Sequence, residues 1–303
     1  MKKILNIFPL VMLCIGLTSC LKDESLTAFT DDAPNILEFR EAATDPATSE
    51  LLYSTVMQTF NYQPDSAHYV TVSYSGDEVA PRDITVEVAV DPAALTRFNE
   101  QVLSVARAEA IAAGTDVAEA LEDAQGKLYT LATDAIYTMT TNKVVIKKGE
   151  RTVKLPVTVK PVNIDFDHRY VLPLKIVGSD GDELISDNFR TVLYHFMSKN
   201  AYDGEYAHTF TSSLGSGSNT IKMETIGENT VGFGLLGQYS NAVVLTVDKA
   251  TNKVTVSLTS LLPIATDPSS HYDPSTKTFH LKWTSNGGAR NFEETFVYTK
   301  PRD

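Results

Sequence analysis

The residue types in this chain that could do chemistry are paired carboxylates, six histidines, one glycine-rich string and a group of aromatic rings near amides. The carboxylate sets are Asp165 with Asp167, Asp180 with Asp182 and Glu183, and Glu293 with Glu294. Glycoside hydrolysis needs two carboxyls facing each other across about 5 to 9.5 Å, whereas sequence neighbours on a strand point to opposite faces. These sets therefore read as solvated loop or edge residues. The histidines, His68, His168, His195, His208, His271 and His280, show neither a His-Glu-x-x-His pattern nor a close i, i+4 pair, so no metal site is expected. Asp180-Gly181-Asp182-Glu183 is far from a twelve-residue calcium loop and reads as an acidic turn. The string "GFGLLG", Gly232 to Gly237, matches the dinucleotide fingerprint by letter, but strand-type sequence follows it where a helix would have to open. No cofactor is expected, and no serine nucleophile elbow is present.

The aromatic residues carry the remaining chemical signal. A sugar offers apolar C–H faces ringed by hydroxyls, so a site for it needs a flat ring with amides and charges beside it. Towards the C-terminus the candidates for carbohydrate contact are Tyr239, Tyr272 and Trp283, with Asn241, Asn286 and Arg290 near them in sequence. Trp283 stays open between two roles, because it shares a strand face with Phe279 and Leu281 and would serve equally as core.

The leader states where the chain goes. Lys2 and Lys3 precede an apolar run from Ile4 to Leu17, which closes in Leu17-Thr18-Ser19-Cys20. That is a secretory signal of the bacterial lipoprotein type, too short and wrongly flanked for a membrane-spanning helix. Cleavage makes Cys20 the lipidated N-terminus, and the several acyl chains of a lipoprotein together form a stable anchor. Cys14 leaves with the leader, so no thiol remains for a disulfide, a nucleophile or a metal. The Lys22-Asp23-Glu24 run after Cys20 resembles the signal that sends Bacteroidetes lipoproteins to the outer face of the outer membrane, and it reads equally as a solvated tether. Removing residues 1–19 leaves 284 of the 303 residues, and loss of Lys2 and Lys3 takes the formal charge from −12 to −14. Dispersed acidity on this scale argues against nucleic acid or an anionic membrane surface as partner.

The elements that must position these residues are mostly strands. Ile84, Val86, Val88 and Val90 share one face, as do Val153, Leu155, Val157 and Val159. Lys147-Lys148-Gly149-Glu150 predicts a tight turn with its glycine at positive φ. From Pro92 to about Leu131 the period changes: Leu95, Phe98, Val102 and Val105, then Val117, Leu121, Ala124 and Leu128, form two stripes separated by Gly114 and a capping Thr115 or Asp116. This predicts an inserted helical hairpin that caps one end of the core. After Ser198-Lys199-Asn200 the strands alternate again between Gly- and Ser-rich loops; Val243–Val247 with Val254–Leu258, and Thr278–Trp283 with Glu294–Tyr298, predict hairpins. The expected organisation is a signal peptide over 1–19, a lipidated tether over 20–32, an antiparallel β-sandwich over 33–199 and an antiparallel sandwich or barrel-like domain over 200–303. The fold class is all-β.

Particular runs also resemble a known family. "DITVEVAVDPAALTRFNE", "YTMTTNKVVIKKGERTVKLPVTV" and "HRYVLPLKI" resemble the N-terminal domain of unknown function of many Bacteroidetes surface lipoproteins, a domain that also stands ahead of chitinase-like endo-β-N-acetylglucosaminidases. "YDGEY" at Tyr202 to Tyr206 and the run from Tyr272 to Glu294 resemble the all-β domain that often follows it. The resemblance implies a non-catalytic, surface-anchored glycan-binding protein of a polysaccharide-utilisation system, with a glycan such as an N-glycan or another polysaccharide as ligand. It further implies partners in an outer-membrane porin and its lid lipoprotein. The alternative is a structural or adhesive surface lipoprotein that binds a partner protein. Cys20→Ala is expected to leave the protein unlipidated by mass spectrometry. Protease added to intact cells is expected to degrade the wild type, and full protection there would contradict a surface location.

Overall fold

Alternation with a period of two builds most of the chain, and the direction of each apolar face decides which sheets meet. The structure, a computed structural model, describes residues 34–44 and 52–302. The leader, Cys20 and the tether lie outside the described residues, and no described helix is long and apolar enough to cross a membrane.

Residues 36–198 form a five-stranded and a six-stranded sheet packed face to face. Leu37, Phe39, Val70, Val72, Leu155 and Val157 come from one inner face; Ile84, Val86, Leu172, Leu174, Tyr194 and Phe196 come from the other. Most pairings are antiparallel. The strand Ser54–Phe60, however, joins Val192–Ser198 in parallel at a sheet edge, a pairing that period-two patterning cannot distinguish from antiparallel. The turn at Lys147–Glu150 is present with Gly149 at φ 85°. It does not close a hairpin: Lys143–Ile146 pairs with Ile84–Val90 in one sheet and Thr152–Val159 with Ser66–Ser75 in the other, so the turn carries the chain across the sandwich.

The helical hairpin forms, but its second helix ends at Gln125, short of the expected Leu131, and Thr130–Leu131 is a strand instead. Asp91 accepts a hydrogen bond from the Ala94 amide at the start of Pro92–Ala113, Gly114 ends that helix at φ 67°, and Asp116 caps Val117–Gln125. Its position corrects the expectation of a cap over the end of the core. Leu95 and Phe98 pack on Val171 and Leu193, which point away from the sandwich core, so the long helix covers the outer face of the six-stranded sheet. The strands Tyr170–Ser179 and Thr191–Ser198 carry apolar residues on both faces, Val171 and Leu193 on the outer one, which is why that face needs a cover.

Residues 204–300 build a nine-stranded, strongly curled sheet around a second core of Tyr206, Met223, Leu245, Phe279, Trp283 and Phe296. Both predicted hairpins are there. The first and last strands of the sheet approach through Thr266, whose hydroxyl accepts from the Val256 amide at 2.9 Å and donates to the Val256 carbonyl at 3.3 Å. The barrel is nearly closed.

Two histidines, one buried and one half-buried, are expected to make the sandwich acid-sensitive. His195 lies under the helical hairpin, 5% exposed, against the Tyr129 ring, and its Nδ1 has no hydrogen-bond partner. Burial, helped by the positive charge of Arg169, lowers its pKa to about 4. Burial also lowers His68, against an opposing pull from Glu41. The unfolded chain binds these protons more readily, so stability is full above about pH 6.5 and falls as pH drops toward 4, by on the order of 2–3 kcal/mol for His195. Urea melts across this range are expected to show the loss, and His195→Leu to flatten it. An identical pH profile in the variant would contradict this origin.

Candidate functional site

The barrel has two ends, and the candidate sugar contacts divide between them. At the end away from the sandwich, the loop carrying Tyr239 meets the 259–264 and 286–290 loops. Asn241 Nδ2 donates to Ser260 Oγ at 2.9 Å, and the Asn286 amide donates to the Leu261 carbonyl at 2.8 Å. Tyr239 is 43% exposed, Asn286 is exposed at φ 52°, and Arg290 is half-buried. Tyr272 sits at the opposite end, its amide bonded to the Asn252 carbonyl. Tyr272 is therefore not brought together with Tyr239, Asn286 and Arg290, because successive turns of an up-and-down sheet alternate between its ends.

Trp283 is core and is corrected as a ligand platform. It is 1% exposed, its indole stacks on Phe292 at 3.9 Å and 8°, and its Nε1 donates to Glu294 Oε1 at 2.7 Å. No ring face is left for a sugar. Glu294 also meets His208 Nε2 at 2.8 Å, while Glu293 points outward from the same strand, so this carboxylate pair is split between core and solvent. In the other sets Asp165, Asp180 and Glu183 are spent locally. Asp180 and Glu183 grip Arg82, which holds Asp180 down to about 2; Asp165 accepts from the Asp167 and His168 amides and from the Tyr170 hydroxyl. Among the described residues no three His, Cys, Asp or Glu side chains converge to hold a metal ion. "GFGLLG" ends a strand and turns, with Leu236 at φ 54°, into the next strand.

Two grooves flank the barrel. The lateral one, about 520 Å³, runs along the outer sheet face between Thr211, Lys282, Asn291 and Asp267, and its only rings, Trp283 and Phe292, belong to the core. The other, about 390 Å³, lies where sandwich and barrel meet. Its floor is Tyr202 and Tyr272, edge to face at 4.9 Å, both at least nine-tenths buried. Burial pushes the Tyr272 phenol up to about 12, so it stays a neutral donor and acceptor. Tyr298 forms one wall, and Tyr62, 50% exposed, stands on the sandwich side between Asn61 and Gln63. Rings and amides thus converge from both halves, at the kind of place where ligand sites tend to form. Of these residues only Tyr272 was singled out from the sequence. Tyr62, in the polar-aromatic loop "NYQPDS" between two strands, offered a local signal; Tyr202 and Tyr298 become neighbours only when the barrel closes.

The groove is rigid because its connecting segment is saturated with hydrogen bonds. Asn200, 2% exposed, donates from Nδ2 to the Gly227 and Thr230 carbonyls at 2.7 and 2.9 Å and accepts from the Tyr202 amide. Asp203 accepts from the Thr225 amide, the Thr225 hydroxyl and Arg302.

Two families match parts of the sequence. Residues 48–183 match a family described as an N-terminal domain, and residues 204–300 match the domain of unknown function DUF7015. No curated protein matches the chain. Similar solved structures include two Bacteroides ovatus proteins of unknown function. One has 15% identity over 87% of this chain and 93% of that one, with a TM-score of 0.45; the other has 12% over 88% and 95%, with 0.46. An auxiliary nutrient binding protein of Bacteroides thetaiotaomicron has 16% identity over 80% and 90%, with 0.41.

The contrast between core and surface rings is measurable. Trp283→Ala is expected to cost about 3–5 kcal/mol in urea unfolding, whereas Tyr239→Ala stays within about 0.5 kcal/mol. Equal small effects would contradict the burial of Trp283.

Proposed function

We propose that this is a non-catalytic glycan-binding protein, held on the outer face of the outer membrane by lipid on Cys20. The observation that carries the reading is the junction groove. An exposed Tyr62 ring offers a flat face for the C–H side of a sugar, and Asn61, Gln63 and Asn252 offer both donors and acceptors to its hydroxyls. A rigid, pre-formed groove keeps the entropic cost of binding low, which suits a weakly binding polar ligand. Capture without cleavage fits the carboxylate sets, in each of which a member is committed elsewhere: Asp165 to its turn, Asp180 and Glu183 to Arg82, and Glu294 to the core. The lipobox and the acidic residues after Cys20 support the location. The porin and its lid lipoprotein enter as partners through the family resemblance.

Titration calorimetry against a glycan panel tests this. Stacking is worth on the order of 1 kcal/mol per ring, so Tyr62→Ala is expected to weaken binding several-fold to tenfold while the protein stays folded. Release of sugar from a bound glycan would contradict the non-catalytic reading. Absence of any glycan binding, together with co-purification with the porin, would favour the structural surface protein instead.

A further inference from the structure

The charge of the junction groove points to a ligand class. We infer that the glycan taken up there carries an anionic substituent, a carboxylate or a sulfate, positioned to meet the ammonium of Lys277; this rests on the groove being the glycan site. The chain as a whole is acidic, with a formal charge of −12. The groove lining is the reverse: it holds Lys199 and Lys277 and a single carboxylate, Asp203. That carboxylate is consumed. Its side chain is 1% exposed and accepts from Thr225 and Arg302, with Lys199 Nζ at 4.0 Å. Lys199 is itself 14% exposed in its side chain and donates to the Arg302 carbonyl. What remains for a ligand is Lys277.

Lys277 is exposed and makes no ion pair among the described residues. Its Nζ lies 4.7 Å from the centre of the Tyr298 ring, a groove wall. A long lysine on a surface turn normally ranges freely in water; this one is drawn over an aromatic face that also limits its hydration. Its backbone is constrained as well. Lys277 sits at φ 51°, the left-handed region where glycine or asparagine is cheaper, and its carbonyl accepts from the Tyr298 amide at 3.2 Å. The turn is held by Asp273, whose oxygens accept from the Ser275 amide and hydroxyl and the Thr276 hydroxyl; these bonds keep its pKa down to about 2. Asp273 is outside the groove lining and its carboxylate serves the turn. The turn accounts for this backbone; what is left for a ligand is an exposed ammonium held over a groove-wall ring with no counter-ion among the described residues. A sugar acid or sulfated sugar would stack on Tyr62 and bring its anion to this ammonium.

The test uses the full mature chain and three tetrasaccharide probes: tetragalacturonate, a neutral tetragalactose of matched linkage, and a sulfated chondroitin tetrasaccharide. At low salt at least one anionic probe is expected to bind about tenfold tighter than the neutral one, with the advantage shrinking as salt rises. Lys277→Gln is expected to remove most of that ratio, Lys277→Arg to keep it, and Tyr62→Ala to weaken every probe that binds. Preference for tetragalacturonate assigns a carboxylate, and a preference for the chondroitin probe that is lost on its desulfation assigns a sulfate, since that probe also carries uronate carboxylates. Equal affinity for neutral and anionic probes, or a ratio unchanged by Lys277→Gln, would overturn the inference while leaving glycan binding in place. Failure of all probes, and of the wider glycan panel, would overturn the glycan reading itself and the inference with it.

Discussion

The carboxylate of Asp203 is the constraint on which the site depends. A charge removed this far from water is tolerated only when its oxygens are saturated, and here they bind the Thr225 amide and hydroxyl and the Arg302 guanidinium. Those partners belong to the neighbouring strand and to the tail after the last strand, so one buried anion ties the entry of the barrel to its exit. Arg302 in turn gives its carbonyl to Lys199, the first residue of the connecting segment. Breaking one side of such a pair typically costs about 3–5 kcal/mol, more than any single surface contact supplies. The segment between sandwich and barrel is thereby a fixed joint, and the tyrosines around it form a groove of definite shape.

A second buried polar chain does similar work within the barrel. His208 lies between the Phe210 and Phe296 rings, meets Glu294 on one side and Asn219 on the other, and Asn219 passes on to the Leu236 carbonyl. Trp283 completes it from Nε1. Each member has a partner, which is the condition under which polar groups in a core fix a unique arrangement instead of loosening it. The same chain explains why the tryptophan is inside: the interior supplies both a stacking partner for its ring and an acceptor for its N–H.

The strands and the helical hairpin were legible from the sequence because each is written locally. Alternation marked Ile84–Val90 and Val153–Val159, and Pro92, Gly114 and Thr115 or Asp116 marked the helix ends, while the Asp91 cap went unread. What was not legible depends on long-range geometry. The turn at Gly149 looks the same whether it closes a hairpin or crosses between sheets. The hairpin's apolar stripe does not say which apolar surface it covers; that requires knowing that Val171 and Leu193 face outward. The ring set was misread for the same reason: Trp283 has the residue type of a ligand platform, while Tyr62 lies far from the other groove residues in sequence and joins them only through the joint at Asn200 and Asp203. Tyr272 was singled out by type, but its neighbours in the groove come from both halves of the chain.

The central claim is that ligand binding happens at the joint and involves both halves. Hydrogen–deuterium exchange of the mature, unlipidated chain with and without a glycan shown to bind it tests this directly. The account predicts slowed exchange on binding at residues 61–63, 199–203 and 272–277 together. Protection confined to the far-end loops, residues 235–241 and 286–290, with none at the joint, would contradict it.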